Sequence, residues 1–139
     1  MSVAAVLRAI ADDKSLELFE TVAQENIDSR NLKTKIKLTR KQYYSRLSRM
    51  TRMGLVRRKN GKYVLTSFGK IVYECKLTLE NALNNYWKLK AIDSLETSNE
   101  VPKEEQQKLI ETLLDNEEIR GILVKASPAE ASIRAISGR

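Results

Sequence analysis

The sequence predicts a mainly α-helical chain carrying one small β-hairpin, and three observations predict it. Apolar residues recur three and four positions apart along most of the 139 residues, the period of a helix face. The period changes only after Gly54, where two short β-prone runs flank Asn60-Gly61. That dipeptide suits the two positive-φ positions of a type I′ turn, so it reads as a hairpin. Two prolines and five glycines are too few for a low-complexity or linker-dominated chain, and 42% hydrophobic residues suffice for a core. The length fits one compact domain plus an appended element.

The elements follow in order. Val3, Val6, Leu7 and Ile10 mark a short first helix, 3–10. Asp12 or Asp13 can cap a second, with Leu16, Leu18, Phe19, Val22 and Ala23 as its apolar face. Asn26-Ile27-Asp28-Ser29 breaks it, and Ser29 can cap a short helix, 30–36, that turns Leu32 and Ile36 inward. Lys37-Leu38-Thr39 reads as a tight turn. Thr39 then caps helix 40–53, which carries Tyr43, Leu47, Met50 and Met53 on one face. The other face presents Arg40, Lys41, Tyr44, Ser45, Ser48, Arg49 and Arg52, and Gly54 stands where a C-cap glycine belongs.

Thr66, after the hairpin, caps a long helix expected over about 67–92. Phe68, Val72, Cys75, Leu79, Ala82, Tyr86 and Leu89 keep an unbroken 4-3 spacing there, widened by Ile71, Leu83, Trp87 and Ile92. At 1.5 Å per residue such a helix is about 39 Å long, more than a small domain covers by itself, so its distal part calls for a partner. A polar linker, 94–101, follows. Pro102 opens a further helix with Glu104 and Glu105 in its first turn and Leu109, Ile110, Leu113 and Leu114 as its apolar face. Asp115-Asn116 breaks it, and 117–124 supplies a last turn or two with Ile119, Ile122 and Leu123 inward. The remainder, 125–139, reads as a flexible tail.

Charge is distributed unevenly. The chain holds 25 basic and 18 acidic side chains, a net charge of +7. Residues 1–28 carry two basic and six acidic groups, residues 29–73 carry fourteen basic and none acidic, and residues 74–139 carry nine basic and twelve acidic. An acid-free basic window of that length reads as the footprint of a polyanion. The absence of histidine removes His-based general acids, Ser-His and Cys-His dyads and His-containing zinc sites. The lone Cys75 excludes an intrachain disulfide and a Cys-rich metal site, so no metal or cofactor is expected. No apolar run is long enough to span a membrane, and the N-terminus lacks the basic and extended apolar regions of a signal peptide. The expectation is a cytoplasmic protein without catalytic activity.

Helix, helix, short helix, turn, helix, hairpin, helix is the winged helix-turn-helix order. Leu38-Thr39, Tyr43, Leu47, Met50, Gly54-Leu55-Val56, Tyr63-Val64-Leu65-Thr66 and Gly69 together resemble the winged-helix transcriptional regulators of archaea and bacteria. Among these the small stand-alone archaeal proteins are the nearest in look. The resemblance covers roughly residues 3–90 and leaves the segment after Ser94 outside it. It implies a DNA-binding domain over 1–66; the heptad stripe reads as a dimerisation helix over 67–93, and 94–124 is a C-terminal helical segment outside the resemblance. Helix 40–53 would be the recognition helix, entering the major groove of double-stranded DNA, and 56–65 the wing, on the backbone or minor groove.

Carried over residue by residue, the resemblance makes Leu38, Tyr43, Leu47, Met50 and Leu55 core positions. Arg40, Lys41, Tyr44, Ser45, Ser48 and Arg49 become the exposed recognition face, and Arg57, Arg58, Lys59, Asn60 and Lys62 the wing. Arginine can bond guanine bidentately, and either cation neutralises phosphate. Strand alternation puts Arg58 on the opposite face from Arg57 and Lys59, so the four wing cations do not act together. Arg52 faces away from the groove in the usual docking, and Arg30, Lys33, Lys35 and Lys37 are assigned to backbone positioning at most. Metal sensing does not carry over, because no cysteine or histidine pair exists.

Cys75, Leu79, Ala82, Leu83, Tyr86, Trp87 and Leu89 form the expected homodimer stripe, with Cys75 a buried, inert thiol. The alternative for that stripe is intrachain: helix 102–114 folds back over its distal part. Two other functions compete with sequence-specific regulation. One is a non-specific nucleic-acid-binding protein, of nucleoid or RNA type. The other is a winged-helix protein–protein adaptor. Gly54 to Lys62 lacks P-loop spacing, and the Glu104-Glu105 and Glu117-Glu118 pairs read as helix-dipole partners.

Overall fold

The computed structural model describes residues 1–25, 36–97 and 100–125. The described residues form seven helices and one two-stranded antiparallel sheet. The chain divides into two compact units between Cys75 and Lys76. The expected helix 30–36 and the tail fall mostly or wholly on residues outside this description.

The N-terminal unit begins with α1 (Val3–Ile10), whose N-cap Ser2 accepts the Ala5 N–H at 3.1 Å. Of the two aspartates that can cap α2 (Asp13–Glu25), Asp12 does so, its Oδ1 accepting the Ser15 N–H at 2.9 Å. Lys37 adopts φ 59°, which is the tight turn expected before Thr39. Thr39 opens α3 (Arg40–Arg52) with a reciprocal capping box: its Oγ1 accepts the Gln42 N–H at 3.2 Å, and Gln42 Oε1 accepts the Thr39 N–H at 3.1 Å.

Helix α3 ends in a Schellman arrangement. Gly54, at φ 73°, donates its N–H to the Thr51 carbonyl at 3.0 Å, and Leu55 donates to the Met50 carbonyl at 2.9 Å. Leu55 and Met50 are both fully buried, which supplies the apolar contact this motif favours. The chain turns directly into strand β1 (Val56–Lys59) and returns as β2 (Lys62–Leu65), with Val56 opposite Leu65 and Lys59 opposite Lys62. Asn60 and Gly61 connect them at φ 53° and 77°, the positive values a type I′ turn requires.

Thr66 fastens the hairpin to α4 (Ser67–Asn84). Its N–H donates to the Leu55 carbonyl at 3.1 Å, its hydroxyl donates to the Gly54 carbonyl, and its Oγ1 accepts the Gly69 N–H at 2.9 Å. The Leu55 carbonyl comes so close to the helix that a Cβ at position 69 would lie 2.0 Å from its oxygen. Thr66 and Gly69 are therefore required by a close backbone crossing and not only by helix capping. The core of this unit gathers Val6, Ala9 and Ile10 from α1, Leu18, Phe19 and Val22 from α2, Ile36 and Leu38, Tyr43, Leu47 and Met50 from α3, and Leu55, Val56 and Tyr63 around the hairpin.

The long helix expected over 67–92 is interrupted. Asn85 leaves helical geometry between α4 and α5 (Tyr86–Glu96), and its side-chain amide donates to the Asn81 carbonyl at 2.8 Å. The Asn85 N–H still donates to the Asn81 carbonyl at 3.2 Å and also to the Ala82 carbonyl at 3.1 Å, so the side-chain amide shares an acceptor with a distorted ladder. Helix α5 also runs to Glu96, into the segment expected as linker.

Helix α6 (Lys103–Leu113) starts after Pro102, and α7 (Glu117–Lys125) starts after Asn116, whose Oδ1 accepts the Ile119 N–H at 3.0 Å. Ile92, Ile110, Leu114 and Ile119 make the second core, with Ala82, Leu89, Leu113 and Val124 packed against it. The intrachain alternative for the distal stripe is thus realised at Leu89 and Ile92. Ile122 and Leu123, expected inward, are exposed, as is Leu109. Too few helical turns surround α7 to cover more than its Ile119 face. Among the described residues no helix is long and apolar enough to cross a membrane.

Candidate nucleic-acid interface

Helix α3 is amphipathic in an unusual way: its apolar side is fully buried and its other side is nearly all cation and hydroxyl. Tyr43, Leu47 and Met50 are buried, and each buried side chain of this size contributes about 1.5–3 kcal/mol. Their burial fixes the rotation of the helix about its axis. Arg40, Lys41, Tyr44, Ser45, Ser48, Arg49 and Arg52 are consequently all exposed. Tyr44 is 46% exposed, edge-on to Tyr43 with ring centroids 5.1 Å apart, so it is an outward-facing aromatic and not a second core ring. Met53, expected with the buried set, is only partly covered.

Arg46 is the cation of α3 that does not join the exposed face. It reaches Asp12 at 3.4 Å, where the same carboxylate caps α2. Desolvation opposes charge on Asp12, but the Ser15 hydrogen bonds and the Arg46 guanidinium outweigh it and hold the carboxyl below its ordinary range. Acid-bearing α2 and the basic helix are thereby tied together at one point. Sequence reasoning missed this pair because nothing local links positions 12 and 46.

The hairpin cations split as strand alternation requires. Arg58 pairs with Tyr63 across the strands, and its guanidinium lies 5.4 Å from the centre of that ring. Arg57 pairs with Val64 and Lys59 with Lys62, on the opposite face. Arg57, Arg58, Lys59, Asn60 and Lys62 are all exposed. The capping box, the Schellman turn and the Thr66 bonds hold hairpin and α3 in one rigid stretch of chain. All eleven candidate contact residues thus lie exposed on two adjoining elements. Of the basic residues expected to brace the backbone, Lys37 is exposed and the other three, Arg30, Lys33 and Lys35, lie outside the described residues.

The candidate dimer stripe divides in two. Ala82 and Leu89 pack against the second core. Leu79, Leu83 and Trp87 are 70%, 69% and 76% exposed, and Tyr86 is exposed beside Trp87 with ring centroids 5.5 Å apart. Cys75, expected to be buried, is exposed as well. The 4-3 stripe itself splits: Val72, Ala82 and Leu89 pack against a core, while Phe68, Cys75, Leu79 and Tyr86 stay exposed. Ile71, Cys75, Leu79 and Leu83 form a ladder of period four along α4, offset from the residues that reach a core. Beside it, Met1, Val3, Leu7, Phe68 and Ile71 line an apolar groove of about 430 Å³ between α1 and α4. No group of three or more His, Cys, Asp or Glu that could hold a metal occurs among the described residues.

No protein-family model, no curated protein and no solved structure matches this chain.

Proposed function

We propose that this chain is a sequence-specific double-stranded DNA-binding transcriptional regulator of the winged helix-turn-helix kind, cytoplasmic and without catalytic chemistry of its own. The single observation that carries the reading is the exposed face of α3 joined to the hairpin. It collects seven cations with Tyr44, Ser45, Ser48 and Asn60, inside a stretch of sequence that holds no acid. In this reading α3 is the recognition helix. Arg40 and Lys41 sit in its first turn, the end that reaches base edges, while free backbone N–H groups there favour phosphate. The hairpin is the wing, and its cations neutralise backbone phosphate. A homodimer supplies two recognition helices, and the exposed Ile71-Cys75-Leu79-Leu83 ladder with Tyr86 and Trp87 supports one.

The test is selection of the full chain on a random duplex library, followed by binding titrations over a range of salt. An enriched motif is expected. Arg40→Ala should cost about 1–3 kcal/mol on that motif and relax the preference at one position. Lys62→Ala should weaken all duplexes evenly and reduce the salt slope by about one. Equal affinity for selected and random duplexes at physiological salt would replace specific regulation with non-specific nucleic-acid binding. Absence of duplex binding even at low salt would leave the protein–protein adaptor.

A further inference from the structure

A second surface feature lies behind the hairpin. A cleft of about 470 Å³ opens between α2, the sheet and the first turns of α4, lined by Val22, Ala23, Arg57, Lys59, Val64, Leu65, Lys70, Tyr73 and Glu74. Its size falls within the range of small-molecule sites, which combine an apolar body with a few convergent polar groups. Val22 is buried and Val64, Leu65 and Tyr73 are half-buried, so they form an apolar floor. The Tyr73 ring stands edge-on to Phe19 at 6.2 Å, and its hydroxyl accepts from Gln24 Nε2 at 3.2 Å.

The rim differs from the floor. Arg57 and Lys59 come from β1, and Lys70 comes from α4, so cations flank the cleft from two elements. None of the three forms an ion pair among the described residues, whereas Lys14, Arg46, Lys76 and Arg120 each have a carboxylate partner. Glu74 is the one carboxylate in the lining, against three cations. We infer that this cleft binds an organic anion with an apolar body, of the aryl- or alkyl-carboxylate class. Its carboxylate would sit among Arg57, Lys59 and Lys70 and its hydrocarbon part over Val64, Leu65 and Tyr73. A DNA phosphate offers no hydrocarbon for that floor, and the groove between α1 and α4 is lined by no cationic side chain. Because Arg57 and Lys59 also belong to the wing, the bound anion would withdraw them from phosphate and weaken DNA binding; this consequence rests on the DNA-binding reading, and the binding itself does not.

Amide-resolved NMR titration of the full chain without DNA tests the site, with 4-phenylbutyrate, acetate and benzyl alcohol as probes. 4-Phenylbutyrate should saturate, moving the amides of Val22, Val64, Lys70 and Tyr73. Acetate, which has charge but little body, and benzyl alcohol, which has body without charge, should each bind about tenfold more weakly or worse. Lys70→Gln should weaken 4-phenylbutyrate several-fold with an unchanged melting temperature, and Leu7→Ala should leave it unchanged. Equal shifts with acetate would reduce the site to an adventitious ion only. Shifts centred on Leu7 and Phe68, or full affinity in Lys70→Gln, would overturn the inference. A duplex titration with 4-phenylbutyrate present should show weakened DNA binding. Unchanged DNA affinity at saturating probe would overturn the competition, while a chain that binds no duplex overturns the DNA reading and leaves the NMR result standing.

Discussion

Helix α3 fully buries one side and α4 only half-buries one, and their exposed sides are opposite in kind. On α3 it is Arg40, Lys41, Tyr44, Ser45, Ser48 and Arg49. On α4 it is Phe68, Ile71, Cys75, Leu79 and Leu83. A solvated cationic face is stable by itself and can wait for a ligand. An exposed apolar face leaves about 25 cal/mol per Å² of apolar area unrealised, so it is a surface built for contact. Under the proposed function, the first helix meets a partner recognised by charge and hydrogen bonds, the second one recognised by shape. For the second, the homodimer proposed above is the occupant to test.

The largest effect comes from breaking the joint between the two regions. Gly69→Ala would place a Cβ 2.0 Å from the Leu55 carbonyl oxygen, where backbone has to move. We expect a loss of about 1–3 kcal/mol or more, since overpacking against backbone relaxes poorly, and a lowered melting temperature reports it. Ser67→Ala, two positions away on an exposed site, should melt like the parent.

A smaller effect separates the faces themselves. Leu79→Lys adds charge to a side chain that is already 70% exposed, so the melting temperature of the dilute protein should hardly change. Its dimerisation, followed by sedimentation velocity across a concentration series, should weaken by tenfold or more, about 1.4 kcal/mol or above. A parent chain that stays monomeric at high concentration would remove the homodimer from the reading, and a Leu79→Lys chain that dimerises like the parent would move the interface off the ladder.

Local chemistry was legible, and assembly was not. Thr39, Gly54, Asn60-Gly61 and Thr66 each announce themselves because a cap or a positive φ is a requirement of one or two residues. Helix α3 and the hairpin were therefore readable with their exposed faces. The break at Asn85 was hidden because the 4-3 apolar spacing runs straight through it; Asn84-Asn85, two poor helix formers side by side, was the signal available. The exposure of Cys75 and Leu79 was unreadable, since periodicity shows that a face exists but not what covers it. Gly69 could be recognised as part of a pattern, yet its reason lies in the carbonyl of Leu55, fourteen positions earlier.

The smallest effect tests whether α3 is held at its own Asp12 contact. The folded-state pKa of Asp12 is depressed, so the carboxylate contributes stability above its unfolded pKa. That contribution is lost as pH falls through the folded value, in the acid range below the ordinary aspartate pKa. Asp12 is about half exposed and Arg46 about a quarter, so screening keeps the ion-pair part small. Arg46→Gln removes the guanidinium but leaves both Ser15 hydrogen bonds. Its acid melting profile should therefore shift only slightly toward that of Asp12→Ala, which loses the charge and the cap together. If the two variants instead melted identically at neutral pH and at pH 3, the cap would contribute nothing beyond the ion pair. The orientation of α3 would then rest on Tyr43, Leu47 and Met50 and on its two terminal caps.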